Sequence, residues 1–188
     1  MSERLDEAIR FATAAHAGQM RKMANTPYIL HPMEVAAIAA TMTTDEDVMI
    51  AGLLHDTIED TNADPRDIKR IFGARVSALV QSETEDKLSE RPPSETWMQR
   101  KEESLLMLSH THDIGVKMLW LSDKLSNIRS FYREHLKHGD AIWHGLNQKD
   151  PAMHAWYYRT IAENLKELSD TAAYKEYIEL VEKVFAEH

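Results

Sequence analysis

The chain has 188 residues, a formal net charge of −9 and no cysteine, which excludes disulfides, thiolate metal sites and a cysteine nucleophile. The acidic balance disfavours a nucleic-acid polymer as partner, so an anionic ligand must meet locally placed basic side chains. The N-terminus lacks a signal-peptide pattern and no apolar run approaches the ~20 residues of a membrane span, so we expect a cytoplasmic protein that does not bind membranes.

Apolar residues recur mainly at helical spacing, and the alternation of Val, Ile and Thr that is typical of β-strands is almost absent. With 6 Gly, 6 Pro and no linker-like stretch, the sequence predicts one all-α domain, a helical bundle over residues 1–188. A first helix is predicted from about Leu5 to an end near His16-Ala17-Gly18. The polar connection over residues 19–30 carries the adjacent bases Arg21 and Lys22, a pair that most often lies in a solvated loop.

His31 stands directly before Pro32, which suits the first position of a helix. A second helix is therefore predicted to begin here, where the imidazole could point into a site; a capping or core histidine is the alternative. A third helix is predicted from Asp45, as N-cap, through Leu53-Leu54 and into an acidic cluster.

The acidic cluster follows His55 and places Asp56, Glu59 and Asp60 at helical positions i, i+3 and i+4. Like charges on one helix face repel, by roughly 0.2–0.5 kcal/mol for each pair in an isolated helix and by more beside a core. A divalent cation bound by His55 and Asp56 would offset this repulsion and leave Glu59 and Asp60 to act on a water molecule. A solvated acidic helix end with a hydrogen-bonded histidine is the alternative.

The next segment is predicted to contain a helix that begins at Asp64-Pro65 and ends at Gly73, and another that begins near Val76. Residues 82–96 have little to bury and are predicted to form a mobile polar loop, either a lid or a long connection. Helical spacing resumes at Trp97 and returns in later segments up to residue 185.

The segment that begins at Val116 predicts a helix with a strongly buried apolar stripe from Met118 to Tyr132, and Asp123 lies on a separate line of the same helix with Asn127 and Ser130. A carboxylate in such a helix is destabilising unless it is paired or metal-bound, so Asp123 is a candidate ligand. An ion pair with a nearby base is the alternative, and the candidates are Lys117, Lys124 and Arg129.

Three sequence blocks follow one another along the chain. The first is Phe11-Ala12…Ala15-His16-Ala17-Gly18-Gln19…Arg21-Lys22…Pro27-Tyr28-Ile29…His31-Pro32, and the second is Leu53-Leu54-His55-Asp56-Thr57-Ile58-Glu59-Asp60-Thr61. The third is Asp123-Lys124-Leu125…Asn127-Ile128-Arg129. Together they resemble the HD-domain phosphohydrolases, and within them the hydrolase half of the RelA/SpoT alarmone enzymes. The length and the stretch Glu85-Asp86-Lys87…Arg100-Lys101 resemble the stand-alone small alarmone hydrolases of the Mesh1 type.

This resemblance implies a site, a cofactor and a substrate. Four residues match the family's metal ligands, usually around Mn(II), and they are His31, His55, Asp56 and Asp123. Glu59 and Asp60 match the acidic pair that acts on the attacking water. Three residues match contacts to the nucleotide, and they are Arg21, Lys22 and Asn127. The implied reaction is hydrolysis of (p)ppGpp at the 3′-diphosphate, which gives GDP or GTP and pyrophosphate.

Two other functions stay open from the sequence. An enzyme of the same architecture could hydrolyse another nucleotide, such as an adenosine analogue or NADPH, because the metal ligands do not select the base. A sensor could bind the alarmone without turnover, although the acidic pair Glu59-Asp60 disfavours it, since a pure binder does not need this uncompensated charge. The sequence also leaves a homo-oligomer open.

Overall fold

The computed structural model of the protein describes residues 2–21, 25–88, 90–186 and 188. Its α-helices are α1 (Glu3–Ala15), α2 (Leu30–Ala39), α3 (Glu46–Leu54), α4 (Thr57–Asp60), α5 (Pro65–Phe72), α6 (Ala74–Glu83), α7 (Pro93–His110), α8 (Ile114–His138), α9 (Pro151–Asn164) and α10 (Ala172–Val184), with 3₁₀ segments at Gly139–Gly145 and Lys166–Leu168. In these described ranges extended pairing is limited to one antiparallel bridge between Met20 and Pro27. The predicted all-α bundle is confirmed. None of the helices in the described part of the chain is long and apolar enough to cross a bilayer.

Several helices begin at the residues that the sequence indicates. The side chains of Asp45 and Asp64 accept hydrogen bonds from the backbone two residues ahead, at the starts of α3 and α5, as N-caps do. Helix α1 begins slightly earlier than predicted, because Ser2 caps it. Helix α2 begins at Leu30, so His31 lies in its first turn and not in front of it.

The centre of the bundle is α8, which packs against α2, α3, α6 and α10. Its apolar stripe is almost fully removed from solvent, including Leu119, Leu121, Leu125 and Ile128. Full burial of one such side chain contributes ~1.5–3 kcal/mol. Because this helix is anchored along its length, polar side chains that it carries into the core have fixed positions.

The acidic cluster does not continue α3, contrary to the prediction. Helix α3 ends at Leu54, and Asp56 is the N-cap of the short helix α4. The amide of Asp60 still donates to the carbonyl of Asp56 at 2.8 Å, so the three carboxylates remain on one turn. His55 and Asp56 therefore stand at the junction of the two helices, as the C-cap of α3 and the N-cap of α4.

The polar loop predicted over residues 82–96 is shorter than expected. Helix α6 extends to Glu83 and α7 begins at Pro93, which leaves residues 84–92 as the connection. Glu85 ties this connection to α7, since its carboxylate accepts from Arg100 at 2.9 Å and from Lys101 at 2.5 Å. Two features that composition does not reveal explain why the loop is shorter than predicted. One is the proline at which α7 begins, and the other is the pairing of charged side chains with each other.

Helices α2 and α3 approach each other closely at Gly52. A Cβ atom at this position would lie 3.1 Å from both the Cα and the N of Ala36. Contacts this short with backbone atoms can be relieved only by moving one helix. Since α2 carries His31 and α3 leads into His55, the glycine fixes the separation of the two imidazoles.

We expect Gly52→Ala to lower the free energy of unfolding by about 1–3 kcal/mol, as overpacking in a well-packed core does. Gly145→Ala is the matched control, because a Cβ there meets nothing within 4 Å, and it should stay within about 0.5 kcal/mol of wild type. Urea unfolding followed by circular dichroism measures both. Equal stabilities of the two variants would contradict the close approach.

Candidate active site

The four residues predicted as metal ligands converge on one point between α2, α3 and α8. His31 Nε2 lies 3.0 Å from Asp123 Oδ1, and His55 Nε2 lies 2.9 Å from Asp56 Oδ2. The crossed distances are 3.5 Å from His31 Nε2 to Asp56 Oδ2 and 3.6 Å from His55 Nε2 to Asp123 Oδ1. His31, His55 and Asp123 are buried, each with one ligand atom within 4.8 Å of the others'. They form a group that could bind a divalent metal ion, with Asp56 beside it.

Both imidazoles are held so that Nε2 faces the carboxylates. His55 Nδ1 lies 2.9 Å from the carbonyl oxygen of Gly52, so Nδ1 carries the proton and donates it. His31 Nδ1 lies 2.8 Å from Ser126 Oγ, whose hydroxyl donates to Glu34 at 2.7 Å. The serine oxygen therefore accepts from His31. In both rings Nε2 is the nitrogen left to take up a proton or a metal ion, which is the usual arrangement around metal-binding histidines.

The two carboxylates favour a cation between the imidazoles. His55 Nε2 is buried and has no hydrogen-bond partner among the described residues, although Asp56 Oδ2 is 2.9 Å away. Burial lowers the pKa of His55, but attraction to Asp56 and Asp123 outweighs it and raises the pKa well above its ordinary value. Burial disfavours ionisation of Asp56 too, yet His55 holds the pKa of this carboxyl far below its usual range. Two nitrogen and two oxygen donors fit a divalent transition metal.

Asp123 combines the two environments that the sequence left as alternatives. Its Oδ1 faces the histidines and accepts from Asn127 Nδ2 at 2.7 Å, while its Oδ2 lies 2.5 Å from Lys124 Nζ. Burial opposes ionisation, but attraction to Lys124 outweighs it and holds the pKa of Asp123 well below its usual range. The ion pair thus keeps Asp123 charged and leaves one oxygen directed at the histidines.

The acidic pair lies next to this group with distinct partners. Asp60 Oδ1 accepts from Lys87 Nζ at 2.6 Å and Asp60 Oδ2 lies 3.2 Å from the hydroxyl of Tyr28. Glu59 Oε2 accepts from the amide of Glu85 at 3.3 Å, and Glu59 Oε1 lies 3.7 Å from Lys87 Nζ. Burial and repulsion from Asp56 raise the pKa of Glu59, which strengthens this carboxylate as a proton acceptor.

Two adjoining cavities open from the metal-ligand group. One of about 220 Å³ is lined by all four predicted ligands, and one of about 670 Å³ continues outward. The residues that line both are Arg21, Tyr28, Glu59, Asp60, Arg100 and Asn127. The outer cavity is large enough for a drug-sized ligand, and basic side chains reach it from three separate segments.

The predicted nucleotide contacts divide into described and undescribed residues. Arg21 reaches across to α8, where its guanidinium donates to Asn127 Oδ1 at 3.1 Å and to Ser130 Oγ at 3.2 Å. Arg21 and Asn127 therefore meet at the cavity wall, although they lie far apart in sequence. Lys22 lies outside the described residues, as do Met23 and Ala24.

The sequence profile of the HD domain matches residues 8–153 of the chain. The chain belongs to the HD-domain family. The profile covers all four predicted ligands of this HD domain and the acidic pair.

Relatives named as alarmone hydrolases match about two thirds of the chain. The chain is 37% identical over 131 residues to a guanosine-3′,5′-bis(diphosphate) 3′-pyrophosphohydrolase of Aquifex aeolicus, which covers 70% of this chain and 18% of the relative. It is 38% identical over 129 residues to the bifunctional (p)ppGpp synthase/hydrolase SpoT of Escherichia coli, which covers 68% and 18%. The chain thus spans less than a fifth of the length of these relatives.

Two solved structures resemble the HD domain over nearly its full length. A metazoan ortholog of SpoT that hydrolyses ppGpp superposes with a TM-score of 0.77 at 26% identity, covering 97% of this chain and 96% of the other. The protein lmo0812 of Listeria monocytogenes superposes with a TM-score of 0.73 at 30% identity, covering 84% and 99%. The second match covers almost the whole Listeria protein, so the fold occurs there as a unit of similar length.

Sequence reasoning assigned no role to several residues that the HD-domain site contains. Tyr28 was part of the family resemblance, and Lys87 and Arg100 were part of the Mesh1-like stretch, yet all three line the cavities. Ser126, which orients His31, carried no signal beyond its helical position. Their placement depends on how loops and helices meet in three dimensions, and local spacing does not report that.

Proposed function

We propose that this chain is a metal-dependent hydrolase of guanosine 3′,5′-bis(diphosphate) and its 5′-triphosphate analogue. Water attacks the 3′-linked phosphorus, pyrophosphate leaves, and GDP or GTP remains. The observation that carries the proposal is the joining of the buried His31, His55 and Asp123 group to a cavity with both acidic and basic walls. The activities of the relatives from Aquifex aeolicus and Escherichia coli, and of the metazoan SpoT ortholog, support the same reaction.

We propose Mn(II) as the ion, held by His31, His55, Asp56 and Asp123. Mixed imidazole and carboxylate donors suit Mn(II), Fe(II) or Co(II), whereas thiolate donors are absent from the sequence. When bound, such an ion supplies Lewis acidity, which makes water more acidic and a phosphoryl group more electrophilic.

The chain's own side chains supply the remaining steps of the proposed reaction. Glu59 takes the proton of the attacking water, and its raised pKa suits this role. Asp60, paired with Lys87, orients the water. Arg21, held by Asn127 and Ser130, presents a planar guanidinium on which a purine stacks.

A screen of the full chain with Mn(II) tests the proposal. Candidate substrates are ppGpp, its adenosine analogue and NADPH, and pyrophosphate and orthophosphate are detected separately. We expect pyrophosphate release with ppGpp, abolished by a chelator and restored by Mn(II). Orthophosphate release from NADPH alone would indicate the other hydrolase, and tight binding of ppGpp without any product would indicate the sensor.

We expect Arg21→Ala to raise the KM for the guanosine substrate roughly 5- to 100-fold, since stacking on one base contributes ~1–3 kcal/mol. The same change should weaken the preference for guanosine over adenosine. Lys22→Ala should weaken binding mainly at low salt, because its point charge is screened. Steady-state kinetics at two salt concentrations measures both variants.

Arg10→Ala is the matched control for these two changes. Arg10 lies on the exposed face of α1 and pairs with Glu7, so its loss should leave KM unchanged. Wild-type KM values in both Arg21→Ala and Lys22→Ala would place the nucleotide pocket elsewhere.

A further inference from the structure

Tyr28 lies at the centre of the site without an assigned role. It follows the bridge between Met20 and Pro27, where the amide of Arg21 donates to Thr26 at 2.8 Å and the amide of Tyr28 donates to Gln19 at 2.9 Å. These backbone bonds fix residues 19–21 against residues 26–28. The side chain of Tyr28 is therefore presented to the cavities from a defined position.

The hydroxyl of Tyr28 connects the metal-ligand group with the acidic pair. It donates to Asp56 Oδ2 at 2.6 Å and lies 3.2 Å from Asp60 Oδ2. The other oxygen of Asp60 accepts from Lys87 Nζ at 2.6 Å. Both carboxylate oxygens of Asp60 are thus in contact with another side chain, one with Lys87 and the other with Tyr28. Tyr28 also donates to the predicted metal ligand Asp56.

The ring of Tyr28 is enclosed by three further residues of the site. Its centroid lies 4.9 Å from that of His16 and 5.8 Å from that of His31, and the guanidinium carbon of Arg21 lies 5.7 Å from it. The ring therefore has little freedom to turn, and the direction of its hydroxyl is fixed.

The same segment supports Asp60 through its backbone as well. Gln19 donates from Nε2 to the carbonyl oxygen of Asp60 at 2.8 Å, and its Oε1 lies 2.8 Å from His16 Nδ1. The two ends of this segment therefore hold different parts of Asp60: Gln19 bonds to its main chain, and Tyr28 contacts its carboxylate.

We propose that Tyr28 is a positioning residue that ties the carboxylates of Asp56 and Asp60 together through its hydroxyl. For Asp56, this sets the oxygen that faces the histidines. For Asp60, it sets the direction of the carboxylate toward the water, a consequence that rests on the proposed hydrolase function. The ring acts separately, as a support for Arg21.

Tyr28→Phe separates the hydroxyl from the ring, because it keeps every ring contact. Titration with Mn(II) alone, followed by calorimetry, should give an affinity about 10- to 100-fold weaker than wild type, which is the usual effect of losing an outer-shell partner of a metal ligand. Tyr132→Phe is the matched control, since Tyr132 is half-buried on α8 with its ring against Lys183. An unchanged Mn(II) affinity in Tyr28→Phe would overturn the link to Asp56. Thermal unfolding verifies that both variants are folded.

Kinetics at saturating Mn(II) tests the link to Asp60. We expect Tyr28→Phe to lower kcat about 10- to 100-fold with little change in KM, whereas Tyr28→Leu should also raise KM because Arg21 loses its support. In the Asp60→Asn background, Tyr28→Phe should have little further effect, since contacting residues that act as a unit are not additive. Fully multiplicative effects would overturn this link. If the wild type hydrolyses no nucleotide, the proposed function fails, while the Mn(II) titration still decides the role of Tyr28 at Asp56.

Discussion

Replacing His55 with alanine is expected to remove the bound metal and the hydrolytic activity together. His55 Nε2 is a buried atom with no hydrogen-bond partner among the described residues, and it faces Asp56 and Asp123 at 2.9 and 3.6 Å. Without the imidazole, the ionised carboxylates of Asp56 and Asp123 face each other, and the metal site has one donor atom fewer. The loss of metal affinity should exceed the ~10- to 100-fold effect of an outer-shell change, and turnover should fall to background.

Metal analysis of the purified variants measures this effect. Wild type should contain close to one divalent ion per chain, while His55→Ala and the isosteric Asp123→Asn should lack it. His154→Ala is the matched control, because His154 is equally buried but stacks on Trp143 and bonds to the carbonyl of Gln148. Full retention of metal in both site variants would remove this site from the protein.

Three of the four candidate ligands could be predicted from the sequence alone because they stand out locally. His55 and Asp56 begin a run of repelling carboxylates, and Asp123 lies in a strongly apolar helix in which an unpaired charge is destabilising. These are statements about single helices, and they hold whatever the helices pack against. The family resemblance then joined His31 to the set.

The polar residues around the ligands could not be found in the same way. Ser126 orients His31 only because α2 and α8 pack side by side. Lys87 reaches Asp60 from the connection between α6 and α7, in a stretch that composition alone assigns to a solvated loop. Such contacts depend on tertiary packing, which overrides the local pattern.

The end of helix α3 just before His55 is a further feature that the sequence did not predict. The spacing of Asp56, Glu59 and Asp60 predicted their common face correctly, since the amide of Asp60 still bonds to the carbonyl of Asp56. The end of α3 at Leu54 was not predicted, because no glycine or proline marks it. The point at which α3 ends is therefore not specified by the local sequence.

Glu59 is the member of the acidic pair that we expect to act as the general base. Asp60 is held at both oxygens, by Lys87 and by Tyr28. Glu59 receives one backbone hydrogen bond, from Glu85 at Oε2, and its Oε1 lies 3.7 Å from Lys87 Nζ, too far for a hydrogen bond. That oxygen is therefore the more available acceptor for a proton.

Glu59→Gln should accordingly keep the metal and lower kcat by ~10²–10⁴-fold, the usual contribution of a general base. The change keeps the shape of the side chain and an acceptor oxygen for the amide of Glu85, so the position of residues 84–92 should not shift. Steady-state kinetics together with metal analysis measures the effect, and Glu102→Gln on the exposed face of α7 is the matched control.

A greater loss in Asp60→Asn than in Glu59→Gln would exchange the two roles, and unchanged turnover in Glu59→Gln would exclude this residue from the mechanism. The expected combination, full metal content with a slow reaction, separates a group that moves a proton from one that binds the ion.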